Sequence, residues 1–248
     1  MEKRMRINKR LSELGVCSRR EADRLLAAGR ITVNGSAAVP GQQITEEDTV
    51  ELDGRVLARE RDMPVLLAYY KPRGIVCTSS ERDRAKNIIE AIRYPIRVYP
   101  IGRLDKESEG LILLTNQGGL VNRINRARHF HEKEYVVTVD KPLQRAALDR
   151  LADGVYLPEL ERTTRPCMIW QDRTLPPAVR ARQFHIVLTE GLNRQIRRMC
   201  GALGYEVKRL RRIRILQLRL EELRPGEYRE ITLEELGLSA EDGGENAG

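Results

Sequence analysis

Asp105 is the carboxylate whose surroundings look built for chemistry. It lies in Ile101-Gly102-Arg103-Leu104-Asp105-Lys106-Glu107-Ser108-Glu109-Gly110, a charged loop bracketed by glycines. The chain then runs Leu111-Ile112-Leu113-Leu114 and turns at Asn116-Gln117-Gly118. A short apolar run closed by turn residues predicts a buried strand. A carboxylate just ahead of that strand stands on a rigid support at its rim, where a reacting group keeps its position. Taken alone, Asp105 also has a plainer reading. Asp is common in turns because it hydrogen-bonds its own backbone, and Arg103 is near enough in sequence to pair with it. A third reading makes Asp105 and Glu109 the acid and base of a hydrolase.

Two other stretches carry candidate chemistry. In Glu190-Gly191-Leu192-Asn193-Arg194-Gln195-Ile196-Arg197-Arg198-Met199-Cys200, Asn193 can cap a helix that turns Ile196, Met199 and Cys200 inward. Arg194, Arg197 and Arg198 then lie within one to two turns of each other, which by itself describes a solvated basic helix. In His131 to Val139, residues alternate as in a strand, with Tyr135 near its start. Tyr in such a place packs its ring and keeps its hydroxyl wet. His129 and His131 flank Phe130, but no Cys or carboxylate cluster completes a metal-ligand set.

The elements that must position these groups follow in chain order. Ile7, Leu11 and Leu14 share one helical face that ends at Gly15. Ser18-Arg19-Arg20-Glu21 reads as a capping box before a helix with Ala22, Leu25 and Leu26 inward and Gly29 as its stop. Ile31-Thr32-Val33 is a strand closed by the hairpin turn Asn34-Gly35, and residues 44–52 supply another. Lys9, Arg10, Arg19, Arg20, Arg24 and Arg30 fall on or beside the two helices, with few acids among them. They predict a phosphate-contacting face rather than a merely solvated one.

Residues 59–64 lack apolar periodicity and read as a linker. Val65 to Tyr70 is a buried strand, and Lys71-Pro72-Arg73-Gly74 turns the chain, Pro fixing one dihedral and Gly permitting another. Lys71 is a further candidate for the site. Residues 79–86 form a polar loop, 87–92 a short helix and 119–124 another, beside Arg123, Arg126 and Arg128. A helix from Pro142 to Gly154 buries Leu143, Ala147, Leu148 and Leu151. Residues 160–170 and 182–189 are strand-like. Residues 204–215 alternate Arg and Lys with Val, Leu and Ile, predicting a strand with one core face and one strongly basic face. Residues 232–236 form a last short helix. Residues 239–248 are acidic and glycine-rich, the composition of a disordered tail.

The chain has 248 residues and a formal net charge of +8. That length suits one or two domains with a real core, and the arginine-rich excess favours a polyanionic partner. Cys17, Cys77, Cys167 and Cys200 form no Cys-x-x-Cys pair, which argues against a zinc ribbon or a redox motif. No apolar run approaches membrane-spanning length, so a cytoplasmic protein is expected.

Gly102-Arg103-Leu104-Asp105, then Ser108-Glu109-Gly110 and an apolar run into Thr115-Asn116, resembles the signature of bacterial ribosomal RNA pseudouridine synthases, in particular the branch that includes small-subunit synthase A. Lys71-Pro72-x-Gly74, Lys133-x-Tyr135 and Gln195-Ile196-Arg197 match further motifs of that family. Residues 5–60 resemble the S4 RNA-binding domain through Arg6-Ile7-Asn8-Lys9, Gly15 to Ala22 and Gly29 to Gly35.

The resemblance implies a reaction and roles. Asp105 would be the catalytic carboxylate, Arg197 the cation paired with it and Arg198 the nearest competitor for that part. Tyr135 would stack on the target base. Arg103 would fill the RNA stack or hold a flanking phosphate. Lys71, Asn193, Arg194, Gln195 and Arg198 would join the basic residues of the first two helices in binding substrate RNA. No cofactor or metal is implied. The expected fold is α+β: an α-rich S4 domain over 5–60, then a catalytic domain over 65–238 with a mixed, largely antiparallel sheet and flanking helices. A monomer is expected. The stretch 191–208 looks most like large-subunit members, so large-subunit rRNA is the expected substrate. The alternatives are small-subunit rRNA, tRNA or an assembling ribosomal particle. A non-catalytic RNA-binding assembly factor is a different class, against which stand intact residues at positions 105, 135 and 197.

Overall fold

The computed structural model describes residues 4–14, 16–45, 47–57, 64–77, 86–117, 120–121, 124 and 131–238. The expected linker up to residue 63, the loop around residue 80, the cations Arg123, Arg126 and Arg128, His129 and the acidic tail lie outside these residues, as does half of the helix expected at 119–124. The chain forms two compact units. One is drawn from residues 1–65, 94–99 and 115–120, the other from 66–93, 100–114 and 121–248.

In the first unit, β1 (Met5–Arg6) leads into α1 (Ile7–Glu13) and α2 (Arg19–Ala27). Then come β2 (Ile31–Val33), β3 (Ser36–Ala37), β4 (Gln43–Ile44), β5 (Val50–Leu52) and β6 (Arg55–Val56). β1 pairs with β4, and the other four make a sheet in the order β3-β2-β5-β6. Ile7, Leu11, Ala22, Leu26, Ile31 and Ile44 close over a common core. Ser18 caps α2, its Oγ accepting from the Glu21 amide at 3.2 Å. The return bond of a capping box does not form, because the Glu21 carboxylate pairs with Arg24 at 2.9 Å instead. Asn34 and Gly35 both have positive φ (51° and 78°), the geometry that joins β2 to β3 by a two-residue turn.

The second unit is built on one mixed sheet. Its strands are β7 (Leu66–Lys71), β8 (Tyr99–Ile101), β9 (Glu109–Thr115), β10 (Lys133–Val139), β13 (Met168–Trp170), β14 (Gln183–Leu188), β15 (Val207–Ile215), β16 (Leu218–Arg219) and β17 (Tyr228–Glu230). The main path runs β13-β14-β10-β15-β9-β7-β17. β9 and β15 run parallel, whereas β10 is antiparallel to both β14 and β15. β7 and β9 are buried along their whole length, which explains their unbroken apolar composition.

Around the sheet lie α3 (Ile88–Ile92), α4 (Arg145–Asp153), α5 (Pro177–Arg180) and α6 (Gln195–Ala202), with the hairpin β11 (Tyr156–Leu157) and β12 (Arg162–Thr163). The mixed, largely antiparallel sheet with flanking helices is the α+β architecture expected from the sequence. α4 starts at Arg145 rather than Pro142, and the last helix is a single 3₁₀ turn, Glu234–Leu236.

Candidate active site

The loop 102–108 connects β8 to β9 and is tied down from several sides. The Ser108 amide donates to Asp105 O at 3.0 Å, and the Gly74 amide donates to Lys106 O at 2.8 Å. The Leu104 amide points at Cys77 Sγ, 3.4 Å away. Leu104 is buried while the Asp105 side chain keeps 31% exposure. The carboxylate therefore sits at the mouth of a cleft of about 910 Å³. Arg103, exposed, lines the same cleft.

β9 begins with Glu109-Gly110, and Gly110 has φ +109°. A Cβ there would overlap the carbonyl oxygen of Arg212 on β15. Glycine at 110 thus permits the close parallel contact that sets β15 beside the loop bearing Asp105. Glu109 is buried and ion-paired with Arg209. That arrangement does not suit the acid-base pair of a hydrolase.

Tyr135 belongs to the neighbouring strand. Its Cα partners are Ile186 on β14 and Arg212 on β15, and Arg212 in turn faces Gly110 on β9. The register between β10 and β15 shifts between Glu134 and Tyr135. Such an irregularity re-aims side chains beside it. Tyr135 is mostly buried and lines the cleft, and the Arg212 guanidinium lies 6.0 Å from its ring centroid. Arg212 Nε donates to Leu111 O at 2.6 Å, while its buried Nη2 has no hydrogen-bond partner among the described residues. Lys133 lines the cleft two residues before Tyr135, its ammonium pushed below the usual lysine range by burial and by Arg212.

Among the described residues, the cation within ion-pair distance of Asp105 is Arg194, with Nη1 3.8 Å from Oδ2. Arg197, expected there by resemblance, does something else. Its Nη2 donates to Glu107 O at 3.2 Å, and its Nη1 donates to Val207 O at 3.1 Å. Arg197 thereby ties the Asp105 loop to the start of β15. Burial and the neighbouring Arg194 pull its guanidinium below the ordinary arginine range, with Asp105 and Glu107 opposing.

The approach to α6 also differs from expectation. The N-cap is Arg194, in a left-handed conformation (φ 52°, ψ 32°) that is strained for a residue with a Cβ. Asn193 is not the cap, because Arg198 engages it: Arg198 Nε donates to Asn193 O at 3.0 Å, and Nη2 to its Oδ1 at 3.4 Å. Gln195 is buried and braces the loop, receiving the Leu192 amide at 3.2 Å and donating to Glu190 at 2.6 Å. Asn193, Arg194 and Gln195 all line the cleft.

Two expected RNA contacts are corrected. Lys71 is fully buried, and its ammonium donates to Pro72 O and Ile75 O, each at 2.8 Å. It holds the turn that supports the Asp105 loop and does not reach the surface. Arg10 is 7% exposed because it shares the inward face of α1 with Ile7, three residues before it. Arg19, Arg20, Arg24 and Arg30 are exposed and Lys9 is half-buried, although Arg24 pairs with Glu21 and Arg30 with Asp53. The basic face expected on β15 is largely neutralised: Arg209 meets Glu109, and Arg214 meets Glu132 and Glu134, both at 2.9 Å. His131 turns Nδ1 to Ile124 O at 2.7 Å.

Sequence reasoning missed Lys133 and Arg212 as cleft residues. Lys133 was legible, since residues two apart on a strand share a face. Arg212 carried no such signal within an arginine-rich run.

Residues 65–202 match the RNA pseudouridylate synthase family, and residues 5–50 match the S4 domain. A Salmonella typhi protein named dual-specificity RNA pseudouridine synthase RluF is 47% identical over 232 residues, 93% of this chain and 77% of that one. The Bacillus subtilis ribosomal large subunit pseudouridine synthase B is 33% identical over 93% of both chains. A crystal structure of a pseudouridylate synthase superposes with a TM-score of 0.66 at 28% identity, covering 94% of this chain and 98% of its own. The chain belongs to the RNA pseudouridylate synthase family, carries an S4 domain ahead of the catalytic fold, and is a pseudouridine synthase.

Proposed function

We propose that this enzyme isomerises uridine to pseudouridine in large-subunit ribosomal RNA, with Asp105 as the catalytic residue. One observation carries the reading: the Asp105 carboxylate, 3.8 Å from the Arg194 guanidinium, opens into the cleft lined by Tyr135. Similarity to a relative named for the large ribosomal subunit supports the substrate class.

The target uridine leaves its stack and enters the cleft, where Tyr135 replaces the stacking it has lost. The Asp105 carboxylate acts at the sugar. The C1′–N1 bond breaks, and its electron pair stays with the uracil. Arg212 sets positive charge beside that ring, and its unpartnered Nη2 donor is free for a uracil carbonyl. The uracil turns in place, C5 bonds to C1′, the C5 proton leaves to solvent, and N1 takes up a proton from solvent. Product and substrate have the same atoms. Arg194 sets a positive charge 3.8 Å from the Asp105 carboxylate, while Arg197 and Lys71 hold its loop. Arg103 meets the flanking strand, and Lys9, Arg19, Arg20, Arg24 and Arg30 contact phosphates of structured RNA. The enzyme acts in the cytoplasm as a monomer.

The name of the 47%-identical relative, a dual-specificity enzyme, favours a second RNA substrate class, and tRNA is the candidate. The test gives the enzyme C5-tritiated large-subunit rRNA, small-subunit rRNA and tRNA in separate reactions. Tritium release from large-subunit rRNA is expected, with tRNA as the second positive. Release from small-subunit rRNA alone would overturn the assignment.

A further inference from the structure

A second cleft, of about 740 Å³, opens in the second unit on the far side of Arg194. Its walls are Arg150 on α4, Tyr156 on β11, Glu159, and Arg194, Arg197 and Arg198 at the start of α6. Four arginines and one glutamate give the lining a net positive charge. Arg194 also faces Asp105, Arg197 donates to the Glu107 and Val207 carbonyls and Arg198 pairs with Glu159 at 2.6 Å, which leaves the exposed Arg150 as the cation not already engaged among these described residues.

Tyr156 is the unexpected member. Val155 and Leu157 are 6% and 1% exposed, so strand alternation turns Tyr156 outward, where it is 57% exposed. A ring that open contributes little to the core. A flat aromatic face among arginines is the composition of a single-strand nucleic-acid site, with bases on the ring and phosphates on the cations. Gly201 leaves space in the cleft: it is exposed, and a Cβ built there meets nothing within 4 Å.

Arg194 lines both clefts while standing 3.8 Å from Asp105. A strand leaving the Asp105 cleft across Arg194 arrives at Tyr156.

We infer that this second cleft is a subsite for the RNA strand flanking the target uridine, with Tyr156 stacking under one base and Arg150 on a neighbouring phosphate. The inference rests on the ribosomal RNA reading above.

The test measures KM and kcat by tritium release from C5-tritiated large-subunit rRNA, and retention of the same RNA on filters. The proteins are the wild type, Tyr156→Ala, Tyr156→Trp and Gly201→Gln. Stacking of one base is worth about 1–3 kcal/mol, a factor of about 5 to 150. Tyr156→Ala is expected to raise KM within that range and leave kcat within about twofold, the pattern of lost uniform binding. Tyr156→Trp is expected to restore KM, which a packing role would not produce. Gly201→Gln is expected to raise KM by filling the cleft without removing charge, and a good helix former at an open helical position leaves folding intact. Unchanged KM in both Tyr156→Ala and Gly201→Gln would overturn the subsite and leave the patch to an acidic protein partner. If the wild type releases no tritium, the substrate reading fails. Filter retention still decides the subsite in that case: weakened retention by Tyr156→Ala supports it, and equal retention refutes it.

Discussion

Arg194 Nη1 stands 3.8 Å from Asp105 Oδ2, and Arg197 bonds instead to the backbone carbonyls of Glu107 and Val207. The two arginines divide tasks that the sequence motif assigns to one. Arg194 faces the carboxylate across a half-exposed gap, so Arg194→Ala is expected to leave the fold intact and lower kcat about tenfold to a hundredfold. That is below the loss typical of an enclosed donor. Arg197→Met leaves the part-buried Val207 carbonyl unpaired, a cost of about 1–3 kcal/mol, and gives the exposed Glu107 carbonyl to water. It is expected to lower Tm by several degrees along with activity. Melting curves beside tritium-release kinetics separate the two.

Gly110 makes a sharper prediction. Its φ of +109° and the overlap of any Cβ with the Arg212 carbonyl oxygen leave an alanine no room. Gly110→Ala is expected to destabilise by at least about 3 kcal/mol, or to prevent folding. Gly201→Ala is the control, because its Cβ enters open space and alanine favours helix by up to about 1 kcal/mol. Urea midpoints of the two variants should move in opposite directions.

Lys71 predicts a pH dependence. Burial pulls its ammonium from 10.5 down to about 8. Between those values the unfolded lysine is protonated and the folded one is not, so the unfolded state binds more protons. Stability from this group therefore rises as pH increases from about 8 toward 10.5, by up to about 1.4 kcal/mol per pH unit. Subtracting the unfolding free energy of Lys71→Met from that of the wild type at pH 8, 9 and 10 isolates the effect. A flat difference would contradict it.

Much of the fold was legible because it follows from local rules. Asn34-Gly35 made its hairpin because both residues tolerate positive φ. Leu111 to Leu114 formed a buried strand because an unbroken apolar run is covered on both faces. Residues 87–92 formed the short helix expected there, with Asn87 found to cap α3 by accepting the amides of Ile89 and Glu90 at 3.0 Å. Site details that depend on tertiary contact were not legible. Nothing in the sequence around Lys71 announces that two carbonyls wait for its ammonium, or that Glu109, Glu132 and Glu134 neutralise the arginines of β15. Arg10 is an intermediate case: the spacing Ile7, Arg10, Leu11 placed it inward, but its charge suggested the surface. Arg194 and Arg197 could not be told apart without coordinates, because the strained turn at Arg194 decides which guanidinium reaches Asp105.

The central claim is that Asp105 performs the isomerisation. Its most direct test is tritium release from C5-tritiated large-subunit rRNA by wild-type enzyme and by Asp105→Asn. Asparagine preserves the shape and removes the charge, and circular dichroism confirms that the variant is folded. The account predicts steady release by the wild type and none by Asp105→Asn. Release by a folded Asp105→Asn variant at a rate near wild type would contradict it.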